Sequence, residues 1–158
     1  MVGMVGMVGL VRKIDKLMAA CLNTLQKEKM LYIGYTFYLP TICELLGIAH
    51  PDLQKEPDLK TEWKYKELIE QKCSGLYLEY LDKGVYVLGV SLRDFDFCWG
   101  ESLNAEKAMN MIMSFNYKVK FGIERAGIDL SKPVEIAHME AESTWETNPE
   151  PRIFVWQG

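Results

Sequence analysis

The chain has 158 residues, is 49% hydrophobic and 25% charged, and carries a formal charge of −4. That length fits one domain able to bury a core without staples, and the composition excludes a largely disordered chain. The charge is uneven, +1 over residues 1–93 and −5 over residues 94–158, so the C-terminal part repels nucleic-acid phosphate and suits a basic protein partner.

Residues 1–9 are three copies of Met-Val-Gly, followed by Leu10-Val11 and Arg12-Lys13. Eleven uncharged residues are too few to span a bilayer, and no basic segment precedes them as a secretion signal requires. Residues 1–11 are expected to be a disordered or weakly ordered lead-in, with a sticky apolar arm for a second subunit as the functional alternative. Residues 12–158 are expected to form a single α+β domain, mainly helical over 12–74 and a sheet plus a long helix over 75–158. An amphipathic helix is predicted over about 12–30, because Ile14, Leu17, Met18, Cys21, Leu22 and Leu25 fall on one helical stripe.

The segment 31–39, rich in aromatic and β-branched residues, reads as a strand or as a continuation of that helix, and Pro40 ends it. Thr41 and Glu44 match a capping box for a short helix to Leu46, with Gly47 as its C′ residue. A polar, proline-bracketed loop follows over 50–60. Asp58 or Thr61 then caps a helix over 62–74 that buries Tyr65, Leu68, Ile69 and Cys73 and sets Glu62–Lys66 and Lys66–Glu70 at i, i+4.

From 75 to 99 the pattern is strand–turn–strand–strand. Leu76, Leu78 and Tyr80 alternate, Asp82-Lys83-Gly84 suits a three-residue loop, and Tyr86, Leu88, Val90 and Leu92 share one face. The large apolar residues then move to odd positions, Phe95, Phe97 and Trp99. A strand repeats every two residues, so this parity change requires a bulge, bend or new strand at 91–94. Asn104 caps a long helix over about 105–126, with Ala105, Ala108, Ile112, Phe115, Val119 and Ile123 on one face, Met109 and Met113 widening it, and Gly127-Ile128 ending it. Phe115, Tyr117, Val119 and Phe121 also alternate as a strand would, but the unbroken 3.6 period favours the helix. A strand over 133–139, an acidic loop over 140–151 carrying Trp145, and a last strand over 152–156 complete the order. The fold class is therefore α+β, an antiparallel sheet of about four to five strands packed against helices.

Chemistry-bearing motifs are few. Cys21, Cys43, Cys73 and Cys98 are widely spaced, as free thiols in a reducing compartment would be, which places the protein in the cytoplasm. His50, His138 and these cysteines lack the close spacing of a zinc site, so no metal or cofactor is implied. Cys98 with His138, or the carboxylates Asp94, Asp96 and Glu101, could serve catalysis if brought together. Pro51-Asp52 and Asp58-Leu59-Lys60 carry the residue types of a metal-dependent nuclease but sit in one short loop rather than on adjacent strands. A small hydrolase or nuclease is thus one alternative, with no catalytic residue assigned. Another is DNA binding, since the element order over 41–92 resembles a winged helix. There Glu62, Glu67 and Glu70 cancel Lys64, Lys66 and Lys72 on the would-be recognition helix.

Protein binding has the best support. Phe95, Phe97, Trp99, Trp145 and Trp156 are many large rings for one small core, and Asp94, Asp96, Glu101, Glu142, Glu146 and Glu150 would rim them. Nine methionines add adaptable apolar surface. The expected binding surface comprises Asp94, Phe95, Asp96, Phe97, Trp99, Glu101, Glu142, Trp145 and Glu146. The expected function is that of a non-catalytic intracellular regulator, adaptor or inhibitor. Its partner would be a protein, with a basic, nucleic-acid-binding one as the sharper version, and no membrane is involved. Self-association through the N-terminus or an uncovered sheet edge is the remaining expectation.

Overall fold

A computed structural model of the chain describes residues 30–91, 105–139 and 142–156. The lead-in over 1–11, the helix expected before Met30 and the parity change beyond Ser91 lie outside the described residues. So do Cys21 and Cys98, and Asp94, Phe95, Asp96, Phe97, Trp99 and Glu101 of the expected binding surface.

The aromatic and β-branched run forms a strand, β1 (Met30–Tyr38), and passes directly into α1 (Leu39–Leu46). Pro40 opens this helix, because the first turn leaves its backbone N–H groups without helical partners in any case. The expected Thr41–Glu44 capping box does not form. Tyr38 occupies the N-cap position without a side-chain bond, and the Thr41 hydroxyl donates instead to Glu135 Oε1 at 3.0 Å. At the other end Ile48 N–H bonds Cys43 O at 2.8 Å and Gly47 N–H bonds Glu44 O at 3.2 Å, the two bonds of a Schellman ending.

The second helix, α2 (Leu59–Lys72), begins three residues before its expected start, because Asp58 is its cap and accepts from Thr61 N–H at 2.7 Å. It buries Tyr65 and Ile69 and leads to buried Cys73, but Leu68 is exposed. Lys66 reaches across to Glu79 at 3.6 Å, and Glu70 accepts from Leu78 N–H at 3.0 Å, so both residues serve tertiary contacts. The hairpin β2 (Tyr77–Asp82) and β3 (Val85–Ser91) closes more tightly than expected. Asp82 pairs with Val85, leaving the two-residue loop Lys83-Gly84, whose φ angles of 50° and 79° are those of a type I′ turn. The surplus residue is Leu81, at a register shift between Tyr80 and Asp82.

The third helix, α3 (Ala105–Arg125), includes 115–121. Phe115, Val119 and Ile123 face the core, each worth roughly 1.5–3 kcal/mol by burial, whereas Met113 points outward. Ile128 N–H to Ile123 O closes it as the Gly127-Ile128 pair implied. The strand expected over 133–139 is shorter, β4 (Val134–Ile136). The acidic stretch after it is not a plain loop, for it contains β5 (Thr144–Glu146), antiparallel to β4. β6 (Arg152–Trp156) ends the series.

The described residues thus form a mixed α+β fold. It has a four-stranded antiparallel sheet in the order β2-β3-β1-β6 and a separate two-stranded ribbon, β4-β5. One sheet face carries Ile33, Tyr35, Phe37, Leu78, Tyr86, Leu88, Val90 and Ile153, and joins the inner residues of all three helices in one core. β3 is buried along its whole length, so its other face, Val85, Val87 and Ser91, is also away from water. On that face Gly34 and Gly89 stand opposite one another in register. A Cβ on Gly34 would come 2.8 Å from Gly89 Cα, and one on Gly89 would come 2.6 Å from Gly34 Cα, so no side chain fits at either place. No helix among the described residues is long and apolar enough to cross a membrane.

Candidate protein-binding surface

The β4-β5 ribbon carries three of the expected surface residues. Trp145 stands opposite Glu135 and is 69% exposed; Glu142 is exposed just upstream, and Glu146 is half-buried. Glu135 is anchored beneath, accepting from Thr41 and from Ser143 Oγ at 3.0 Å each. Glu146 belongs to a polar ring that ties the ribbon to the start of β6. Arg152 has no acceptor, so its contact of 2.9 Å makes His138 Nδ1 the accepting nitrogen. His138 Nε2 then carries the hydrogen and donates to Thr144 Oγ1 at 2.6 Å, and Thr144 donates to Glu146 Oε2 at 2.9 Å. Glu146 Oε1 faces Arg152 at 3.6 Å and closes the ring.

That polarity is wrong for nucleophilic catalysis. An activating histidine needs a carboxylate at the nitrogen away from the nucleophile, and His138 has a guanidinium there. Thr144 also gives its proton to a carboxylate rather than to the imidazole. The ring therefore acts as a mount that holds Trp145 on a fixed ribbon.

The recess beside this ring is small. Lined by Gly34, Tyr35, Thr36, Glu146, Glu150 and Arg152 among others, it measures about 190 Å³ including its open mouth. Ligand pockets run from about 300 Å³ upward. Tyr35 donates to Pro149 O at 3.0 Å inside it, and burial, then the Glu150 and Glu124 charges, push its phenol pKa well up. Lys120 of α3 meets Glu150 at 2.8 Å on the rim.

Other candidates for chemistry have structural uses. Asp58, from the nuclease-like triplet, is the α2 cap, and the Thr61 N–H holds its carboxyl below the usual 3.8. The Cys43 and Cys73 thiols are buried, which pushes each pKa up to about 11, so neither is a thiolate near neutral pH. No group of three or more His, Cys, Asp or Glu that could hold a metal occurs among the described residues. The segments α1, α2 and β2-β3 do follow the winged-helix order, but β3 lies inside the sheet between β2 and β1.

Sequence periodicity missed a second apolar stripe on α3. Met113, Tyr117 and Phe121, at i, i+4 and i+8, all face solvent, with Tyr117 71% and Phe121 51% exposed. The two rings stack, their centroids 6.1 Å apart and their planes 13° from parallel. The alternating pattern grouped them with Phe115 and Val119; the helix divides the four into two inside and two outside. The available signal was surplus, since the first stripe already fills the buried face. Trp63 on α2 is exposed as well, with Lys66 Nζ 5.8 Å from its ring centroid. Among known proteins no family model, no curated protein and no solved structure matches the chain.

Proposed function

We propose that this is a small, non-catalytic cytoplasmic protein that works by binding another protein, as a regulator, adaptor or inhibitor. The observation that carries the reading is Trp145, a large ring 69% exposed on a ribbon that a closed polar ring holds in place. Large amphipathic rings carried on a fixed element are common anchors of protein interfaces. Glu142 beside it, and Asp94, Asp96 and Glu101 from the acidic C-terminal part, would steer a basic partner toward it.

A photo-crosslinking residue at position 145 tests this in lysate of the source cells, with the same residue at exposed Lys132 as the control. The expected result is a protein adduct at 145, absent at 132 and competed by excess wild-type chain. The Trp145→Ala chain should compete at least ~10-fold less well, as for an interface anchor. Replacing Asp94, Asp96 and Glu142 by their amides should weaken competition and flatten its salt dependence. Equal labelling at both positions, or competition by Trp145→Ala as good as wild type, overturns the proposal.

A further inference from the structure

The outer edge of the main sheet has no strand beside it among the described residues, and an exposed tryptophan stands on the helix that flanks it. β2 has β3 as its neighbour on one side and no strand on the other, among the described residues. The Leu78 N–H points to that outer side, where Glu70 of α2 accepts it at 3.0 Å. In an antiparallel ladder the backbone groups of every second residue face the same way, so those of Tyr80 also point outward. The flank of α2 that faces this edge carries Lys66, 3.6 Å from Glu79, and Trp63, which is 62% exposed and beneath the Lys66 ammonium. Tyr77 stands exposed at the start of the strand. Edge, helix flank and rings together form a track for one extended segment.

We infer that the β2 edge is a strand-addition site for an extended, lysine- or arginine-rich segment of a partner protein. The inference rests on the protein-binding reading and gives it a second contact surface. The charge around the track selects the occupant. Glu56, Glu70, Glu79 and Asp82 lie along it against Lys66, which pairs with Glu79 at 3.6 Å, and Lys83 in the turn, so carboxylates are in excess, and Tyr80 is already hydrogen-bonded to Glu56 at 3.1 Å. A second copy of this chain would bring the same carboxylates face to face, so self-pairing is disfavoured. In the free protein the Glu70 carboxylate stands where the carbonyl of an added strand would sit. The incoming backbone supplies that acceptor, and basic side chains at alternate positions meet the carboxylates.

The test uses the full-length, isotopically labelled chain and three synthetic octapeptides. The first alternates lysine and valine, the second alternates glutamate and valine, and the third is the lysine peptide with its alternate backbone amides N-methylated. Amide hydrogen exchange is followed at Leu78 and Tyr80. The lysine peptide is expected to slow exchange at both amides at least tenfold at saturation, and the other two to leave it unchanged. No protection by the lysine peptide, or equal protection by all three, overturns the inference. So does protection that rises with protein concentration and no peptide, since that is self-pairing. Adducts at position 145 with unprotected Leu78 and Tyr80 amides remove the edge site alone and leave the proposed function standing. Protection without adducts at 145 leaves the edge site standing and removes Trp145 as the anchor.

Discussion

The sheet has two edges, and they are finished differently. On the far side from β2, β6 covers β1 from Met30 to Gly34 and then stops. The gap beyond is closed by backbone, with Ala137 N–H bonding Thr36 O at 3.0 Å and Thr36 Oγ1 bonding Ala137 O at 2.6 Å. The Tyr35–Pro149 bond and the His138–Arg152 ring lock the closure. At β2 the corresponding work falls to one side chain, Glu70, reaching from a helix. Over the stretch of β1 beyond Gly34 that backbone closure occupies Thr36, while β6 itself, like β2, has no further strand beside it among the described residues. A side-chain closure satisfies the N–H while leaving the edge open to exchange, since a carboxylate can swing away at small cost.

Substitutions separate the two designs. The largest effect is expected between the edges, at the Gly34–Gly89 pair. Gly89→Ala forces its methyl against the β1 backbone and should cost about 3 kcal/mol or more, read as lost or molten structure in denaturant unfolding. At the closed edge Thr36→Val removes a buried donor and leaves the Ala137 carbonyl short of a partner. A loss of about 1–2 kcal/mol is expected; none would show that the closure is idle. Two tyrosines sharpen the point. Tyr35→Phe should cost about 1 kcal/mol, because its hydroxyl is bonded to Pro149 O. Tyr86→Phe should stay within about 0.5 kcal/mol, because among the described residues no group lies within hydrogen-bond geometry of the buried Tyr86 hydroxyl and the Glu62 carboxylate is only a nearby charge. At the guarded edge Glu70→Ala, which removes the acceptor, should cost about 1 kcal/mol while speeding Leu78 amide exchange; unchanged exchange would mean that Glu70 guards nothing.

The smallest effect concerns Asp58, which starts the helix that carries Glu70. Its carboxyl is held below 3.8, chiefly by the Thr61 N–H. A depressed folded-state pKa adds stability that is present above the unfolded value and is lost as pH falls through the folded one. Below about pH 4 the wild-type melting temperature should therefore fall more steeply than that of Asp58→Asn; parallel slopes would remove the cap from the acid response.

Local signals in the chain predicted local structure well. The Gly47 and Gly127 helix ends and the Phe115–Val119–Ile123 stripe depend on neighbours a few residues away and were legible, and the Asp58 cap was one of the two residues the sequence offered. The hairpin was legible too, but its loop length was not, because the surplus residue hides inside β2 at Leu81. Contacts across long separations left no trace. Thr41 fits a capping box as well as any threonine, and nothing nearby announces Glu135. His138 and Arg152 meet across a turn of acidic residues that reads as a plain loop. Of the expected surface, Trp145 and Glu142 are exposed and Glu146 is half-buried, while the rings from Phe95 to Trp99 fall outside the described residues. The exposed Tyr117 and Phe121 escaped because an apolar residue one helical step off the buried stripe looks the same in sequence as one on it.

Where Gly34 meets Gly89 the place of each missing Cβ is filled by the backbone of the neighbouring strand. Elsewhere a crowded pair can be relieved by shrinking its partner, but here neither partner has anything left to remove. A second-site suppressor at the facing position therefore does not exist. In a library of random variants these two positions should appear as a linked pair that admits no exchange, alone or together.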